Sequence, residues 1–198
     1  FHRAELVVAL PVAHIYGFGI VIGAACAGVP VCFLSHFNPV QVLDAIETRR
    51  TSIFAGVPAM YRMLMEAGAE ARDLSCVRMW ISGADAMPQE LSQQFKKLGA
   101  SVRLPVVGSV GEATFAEGYG MVETGGGVAM RISPPLVSGG LGGSMGLPLP
   151  GNKFKVVDDD GNEVPVGSVG ELLLSGPSIL KGYHGSPEAS AAASSYAA

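Results

Sequence analysis

An aromatic residue between two glycines, with a carboxylate shortly after it, occurs at Gly118-Tyr119-Gly120 and Glu123. Glycines let a flat ligand approach the backbone, and the tyrosine ring offers a face on which a base can stack. A carboxylate close behind suits Mg²⁺, which takes few protein ligands and completes its shell with phosphate oxygens. The segment fits a nucleotide site, but a glycine-rich turn with a surface glutamate explains the same residues equally well.

Three other segments combine small residues with a polar or aromatic side chain. They contain His14, then Gly56 and Val57 before a proline, then Ser82-Gly83-Ala84. His14 fits a gate or orienting group at a pocket mouth, and also a satisfied histidine at the end of a strand. The backbone at Ser82-Gly83-Ala84 could lie against a planar ring, but a plain strand-to-helix turn has the same composition.

The elements that would position these segments alternate along the first half of the chain. Apolar runs predict strands at residues 6–10, 31–34, 51–54, 77–82 and 102–107. Helices are expected at residues 19–27 and after the capping or opening residues Asn38-Pro39, Pro58 and Pro88. The alternation predicts an α/β fold with a mostly parallel sheet covered by helices. Ligands bind at the carboxyl ends of such strands, so all four segments should share one rim.

The second half changes character after residue 125, where glycine and proline dominate. Strands are expected at residues 153–157 and 171–174, with Asp160-Gly161 as a hairpin turn. We therefore expect an α/β subdomain over residues 1–128, and a glycine-rich link with a small β lobe over residues 129–198. The run 139–144 is not interpreted as a phosphate loop, because it lacks a clear preceding strand, a following helix and a Lys-Ser/Thr ending.

Composition excludes several classes of protein. The chain of 198 residues is 48% hydrophobic and 15% charged, which indicates a globular protein. Its net charge of −4 and the lack of a basic cluster argue against nucleic-acid binding. Residues 15–34 carry no charge, but Gly28-Val29-Pro30 interrupts them, so we expect a buried helix, a turn and a strand rather than a membrane span. The three cysteines lack metal-site spacing and indicate a reduced, cytoplasmic protein; peripheral membrane association and homo-oligomers stay open.

Taken in order, these segments resemble a known family. The pattern Pro-x-x-His-x-x-Gly from residue 11, then Gly-Val-Pro, Ser-Gly-Ala-Asp-Ala-Met-Pro, Gly-Tyr-Gly-Met-Val-Glu and the run 170–183 are similar to acyl-CoA synthetases of the adenylate-forming superfamily. The resemblance implies ATP-dependent conversion of a carboxylic acid, expected to be a fatty acid, into an acyl-adenylate, from which CoA displaces AMP. It therefore implies ATP, Mg²⁺ and CoA.

The resemblance also implies roles for individual residues. Tyr119 would stack on adenine, Glu123 would bind Mg²⁺, and His14 would flank the acyl pocket near the reacting carboxylate. His14 and Glu123 would thus be the catalytic residues. The implied nucleotide-binding residues are Gly83, Ala84, Gly118, Tyr119, Gly120, Glu123 and Thr124; the implied substrate-binding residues are His14, Gly56, Val57 and Ala84.

The chain departs from the family pattern in two places and omits other parts of it. Val122 stands where the family has a threonine that contacts the α-phosphate, and the link 101–114 is longer than usual. The family's phosphate loop, ribose-binding aspartate and lid domain are not in the sequence, so we expect the chain by itself to be inactive.

Three hypotheses remain open. The first is a fatty-acyl-CoA synthetase, because apolar residues such as Val12, Ile15 and Phe18 suit an aliphatic chain, and no cation in the rim turns would bind a dicarboxylate. The second is an acyl-AMP ligase that loads a carrier protein. The third is a non-catalytic nucleotide-binding module.

Overall fold

A computed structural model describes residues 4–136 and 144–194. The strands are β1 (Leu6–Val8), β2 (Val31–Phe33), β3 (Ile53–Gly56), β4 (Met79–Gly83), β5 (Val102–Leu104), β6 (Gly108–Val110), β7 (Thr114–Met121), β8 (Gly126–Ser133), β9 (Leu147–Pro148), β10 (Lys153–Val157) and β11 (Glu171–Ser175). The helices are α1 (Ile15–Cys26), α2 (Pro39–Arg49), α3 (Pro58–Glu66), α4 (Gln89–Leu98) and α5 (Pro187–Ser194), with short 3-10 turns at Ala69–Ala71 and Val122–Thr124.

The main sheet has seven strands in the order β2-β1-β3-β4-β7-β8-β9. Its first five strands run parallel, and β8 and β9 then add antiparallel pairs at one side. The predicted fold class, a mostly parallel sheet flanked by helices, is therefore confirmed.

Two hydrophobic clusters fix the helices to the sheet. One holds fully buried aromatic rings that meet mainly edge to face, including Phe54, Tyr61, Trp80 and Phe95. Residues of α2, α3 and α4 belong to this cluster. The other cluster packs α1 against β1 and β3. At α2, Asn38 caps the helix as expected, since its side chain accepts a hydrogen bond from the Gln41 amide at 3.1 Å.

The helix predicted at residues 19–27 begins earlier and is less buried than expected. It starts at Ile15, directly after His14, and only Gly17 and Ala24 on it are buried. Phe18 is 53% exposed. The helix is apolar all round, so its sequence contains no polar stripe that would mark the outer face. In the described part of the chain, no helix is long and apolar enough to cross a membrane.

The strand predicted at residues 102–107 does not belong to the main sheet. Val102–Leu104 pairs only with Gly108–Val110, in an exposed hairpin. The fifth parallel strand is instead β7, which contains Gly118-Tyr119-Gly120, a segment that the sequence suggests is a turn. The valines and leucine of the hairpin give it the composition of a core strand, although it is exposed. The glycines of β7 give it the composition of a turn, although it is a strand of the main sheet.

The strands predicted in the small lobe are confirmed, since β10 and β11 form an antiparallel pair. Asp160-Gly161 does not join them directly. It belongs to a tight turn that Asp158 closes, by accepting hydrogen bonds from the Asp160 and Asn162 amides, and that returns to a bridge between Val157 and Glu163. The expected domain boundary at 128 falls inside β8, and the main sheet continues to β9. The two-domain division therefore remains a prediction. Of the run 139–144, residues 139–143 lie outside the described residues.

Candidate active site

The carboxyl ends of β3, β4 and β7 lie side by side in the sheet. Gly56 pairs with Ser82, and Gly83 pairs with Gly118. The rim segments that follow three of the predicted strands therefore meet at one edge, as the rule for open α/β sheets leads one to expect.

A pocket of about 360 Å³ opens at this edge. It is lined by the loop after β4, by the second half of β7 and by neighbouring residues: Ala84, Asp85, Ala86, Met87, Glu117, Gly118, Tyr119, Gly120, Arg131, Ser144 and Met145. The pocket thus brings together four of the predicted nucleotide-binding residues, Ala84, Gly118, Tyr119 and Gly120. The predicted residues His14, Gly56, Val57, Gly83, Glu123 and Thr124 do not line it.

The loop after β4 begins in an unusual conformation. Ala84 has φ of +68°, in the left-handed region that residues with a side chain rarely adopt. Such backbone strain is found preferentially at ligand sites, where surrounding structure maintains it. The preceding Gly83 leaves room for Tyr16, because a Cβ atom at Gly83 would lie 3.1 Å from Cζ of that ring.

Tyr16 is a rim residue that sequence reasoning missed. Its hydroxyl donates to the carbonyl oxygens of Gly56 (3.2 Å) and Ile81 (3.4 Å), so it bridges the ends of β3 and β4. Burial raises the pKa of this phenol well above its ordinary value, which keeps it a neutral donor. The residue lies inside the predicted segment 11–17, but nothing in the sequence distinguishes it from its apolar neighbours.

His14 lies at the start of α1 and its side chain is exposed. Its Nδ1 accepts a hydrogen bond from the Tyr16 amide at 3.1 Å, which makes it the helix cap. The same motif ends in Gly17, where a Cβ atom would lie 2.3 Å from the Pro11 carbonyl oxygen. The motif therefore has a structural explanation, while Nε2 of His14 is left available for the predicted substrate role.

Glu123 lies in the 3-10 turn that follows β7. Its Oε1 accepts a hydrogen bond from the Tyr183 hydroxyl at 3.1 Å, and this bond raises the pKa of that phenol. Among residues 4–136 and 144–194, no group of three or more histidine, cysteine, aspartate or glutamate side chains is arranged so that it could hold a metal ion. Glu123 is the carboxylate that the turn after β7 offers to Mg²⁺, and one carboxylate with substrate phosphates is a usual set for that ion.

The neighbours of Glu123 in the turn have different surroundings. Val122 is 67% exposed. Thr124 is buried, and its hydroxyl contacts Met121 N and O and donates to the Gly126 carbonyl oxygen at 2.6 Å. The hydroxyl of Thr124 therefore closes the turn, and its nucleotide-binding role remains a prediction.

The two glycines that flank Tyr119 serve different purposes. A Cβ atom on Gly118 would meet nothing within 4 Å, whereas one on Gly120 would lie 2.0 Å from the Gly126 carbonyl oxygen. The pairing of β7 with β8 is irregular between Tyr119 and Gly120, so the two backbones approach closely there. Gly120 is therefore required by the fold, and Gly118 leaves open space for a ligand.

The pocket also contains a cation that the rim turns do not supply. Arg131 extends from β8 and forms an ion pair with Glu117, the residue opposite it on β7. Both side chains are mostly buried. Sequence reasoning missed Arg131 because it sought cations only after strand ends, and the cross-strand register that brings Arg131 to the pocket is not visible in the sequence. Because Glu117 neutralises it, Arg131 does not by itself make the pocket a dicarboxylate site.

Comparison with known proteins identifies the family of this chain. A family model described as "AMP-binding enzyme" matches residues 2–184. Feruloyl-CoA synthase of Amycolatopsis sp is 32% identical over 93% of this chain and 35% of its own length. Fatty acid–[acyl-carrier-protein] ligase ScoC of Streptomyces coeruleorubidus is 30% identical over 93% of this chain and 34% of its own length.

The fold is shared with a solved structure, the N-terminal domain of FACL13 from Mycobacterium tuberculosis. It has a TM-score of 0.77 and 26% identity, and the match covers 96% of this chain and 44% of that one. The chain spans about a third of the length of the curated relatives it matches. Because the family model matches nearly all its residues, the chain belongs to the AMP-binding enzyme family.

Proposed function

We propose that the full-length protein is an acid–thiol ligase that uses ATP to activate a carboxylic acid and then forms its CoA thioester. A carboxylate oxygen would attack the α-phosphorus of ATP, and the bond to pyrophosphate would break. The thiol sulfur would then attack the acyl carbonyl carbon, and AMP would leave. The observation that carries this proposal is the pocket in which Ala84 and Gly118-Tyr119-Gly120 converge.

This pocket suits the base of a nucleotide. The Tyr119 ring offers a stacking face, and the open space at Gly118 lets a flat ring approach the strand. We propose that Gly83, Ala84, Gly118, Tyr119 and Gly120 form the adenine subsite, with Gly83 and Gly120 acting through the backbone shape that they permit.

Mg²⁺ would be held by Glu123 together with ATP phosphates. The bound ion would offset negative charge on the phosphates as the α-phosphorus is attacked. In the chain itself, the 3-10 turn fixes Glu123 next to the end of β7, one element away from Tyr119. The proposed base-stacking ring and the proposed cation-binding carboxylate would thus lie on one continuous stretch of chain, formed by β7 and the turn.

The acid is proposed to be a fatty acid, with His14 near its carboxylate and Gly56 and Val57 along its pocket. Exposed apolar side chains next to His14 support this class, among them Val12 and Phe18. The relatives' names cover both a feruloyl and a fatty-acid substrate, so aromatic acids belong in any test. CoA is the proposed acceptor, and the relative named for an acyl carrier protein makes such a carrier the alternative.

ATP–pyrophosphate exchange on the full-length protein, with a panel of fatty, hydroxycinnamic and dicarboxylic acids, tests the proposal. We expect exchange with monocarboxylic acids, and strongest exchange with fatty acids. Thioester formation with CoA against a phosphopantetheinyl carrier protein then identifies the acceptor. Absence of exchange with every acid would reject the ligase and favour a non-catalytic nucleotide-binding module.

Val122→Thr is expected to retain at least the parental rate of pyrophosphate exchange. The valine side chain is 67% exposed, so its replacement removes little packing, and threonine restores a hydroxyl that can donate to a phosphate oxygen. Val122→Ala serves as the control, because it shortens the side chain without adding a donor. A large loss of exchange in Val122→Thr alone would mean that this turn holds the nucleotide differently.

A further inference from the structure

Three contacts join the segment 178–183 to the turn that carries Glu123. The Tyr183 hydroxyl donates to Glu123 Oε1 at 3.1 Å, and the Leu180 amide donates to the Glu123 carbonyl oxygen at 2.7 Å. Gly125, which follows the turn, approaches the Ser178 backbone so closely that a Cβ atom would lie 2.9 Å from the Ser178 carbonyl oxygen. The small lobe therefore contacts the turn through both backbone and side chain.

Tyr183 is itself held in place from the other side. Its amide donates to Ser190 Oγ at 2.8 Å. The Ser190 hydroxyl in turn donates to the Ser186 carbonyl oxygen at 2.8 Å, at the beginning of α5. Gly182, which precedes it, has φ of +155°. The phenol that reaches Glu123 thus extends from an anchored backbone, although the ring remains 39% exposed.

A glutamate on a short turn has several side-chain rotamers of similar energy, and only some of them point an oxygen at a given cation. A donor on one carboxylate oxygen selects among these rotamers and leaves the second oxygen open. Hydrogen-bond partners of this kind orient metal-binding carboxylates, and their loss typically costs 10–100-fold in metal affinity. The Tyr183 hydroxyl is placed to do this on Oε1, with Oε2 left for the ion.

We infer that Tyr183 is a positioning residue, which fixes the Glu123 carboxylate for Mg²⁺ from the small lobe. This inference rests on the proposed ATP-dependent function. Tyr183 touches neither nucleotide nor acid in this scheme, and it acts only through Glu123. The small lobe therefore takes part in metal binding without contributing a metal ligand.

Tyr183→Phe in the full-length protein tests the inference. We expect the Mg²⁺ concentration for half-maximal pyrophosphate exchange to rise about tenfold, with the rate at saturating Mg²⁺ changed less than about twofold. Binding of Mn²⁺ in the presence of ATP, followed by electron paramagnetic resonance, should weaken by about the same factor. Tyr61→Phe is the matched control, because it also removes one phenol hydroxyl, which donates to the Ile81 carbonyl oxygen at 2.9 Å inside the core. It should leave both metal measurements unchanged.

A second variant separates the hydroxyl from the ring. Tyr183→Leu should shift Mg²⁺ dependence and Mn²⁺ affinity as much as Tyr183→Phe, since both lose the same donor. Parental metal dependence in Tyr183→Phe, or a shift in the leucine variant alone, would overturn the inference. If the parental protein shows no exchange with any acid, the proposed function fails, and the Mn²⁺ affinities of the variants still decide whether Tyr183 orients Glu123.

Discussion

Glu123→Gln is expected to lower the rate of ATP–pyrophosphate exchange more than tenfold, because the amide cannot replace a carboxylate as a magnesium ligand. The amide oxygen can still accept the hydrogen bond from Tyr183. The turn should therefore keep its shape, and the loss should reflect charge at the metal rather than misfolding. The measurement is exchange at several Mg²⁺ concentrations, together with thermal unfolding of both proteins.

Glu163→Gln is the appropriate comparison for this variant. Glu163 is an exposed carboxylate of the small lobe, in the bridge that follows the Asp158–Asn162 turn. Its removal changes net charge by the same amount as Glu123→Gln, at a carboxylate that neither lines the pocket nor belongs to the turn after β7. Equal exchange rates in the two variants would remove Glu123 from the site, whatever the absolute rates are.

Gly120→Ala is expected to destabilise the protein by about 3 kcal/mol in free energy of unfolding, because overpacking against backbone is relieved only by moving a strand. The added Cβ would lie 2.0 Å from the Gly126 carbonyl oxygen and 2.7 Å from Gly127 Cα. Neither atom belongs to a side chain that could rotate away. Urea unfolding of the full-length protein, followed by circular dichroism, measures the change.

Gly118→Ala is the matched variant, on the other side of Tyr119. Its Cβ would meet nothing within 4 Å, so the free energy of unfolding should change by less than about 1 kcal/mol. We nevertheless expect weaker ATP binding in Gly118→Ala, because the methyl group would fill space where the base would lie. Equal destabilisation by both substitutions would show that the β7–β8 pair is not as tightly packed as described.

The arrangement of strands and helices could be predicted largely from local pattern. Asn38-Pro39 and Pro58 predict the starts of two helices. Apolar runs predict β1 to β4, because helices cover these strands. Prediction from apolar runs failed where an exposed segment has an apolar composition, and where a strand of the main sheet does not. The exposed hairpin at residues 102–110 is rich in valine, and the interior strand β7 is rich in glycine.

The candidate site was predictable only in its strand-end segments. Gly83, Gly118 and Tyr119 follow from the rule that ligands bind at strand ends, and the structure brings the segments that contain them to one edge. Tyr16 lies in such a segment, but nothing in the sequence distinguishes it from its apolar neighbours. Arg131 and Tyr183 could not be found in this way, because each reaches the rim from another element. Arg131 depends on antiparallel register, and Tyr183 arrives from 60 residues further along the chain. Long-range pairing of this kind leaves no local trace in sequence.

The position of Tyr119 within β7 has a consequence for the energy of ligand binding. β7 pairs with β4 as far as Gly118 and with β8 as far as Met121, so the ring projects from backbone that is still paired with β8, one residue beyond the end of the β4 pairing. Amide hydrogens bonded between paired strands exchange with solvent only when the pairing opens. Binding of a planar ligand to this ring would therefore cost mainly the translational and rotational entropy of the ligand. Little conformational entropy of the protein would be lost, in contrast to a site where a loop must become ordered on binding.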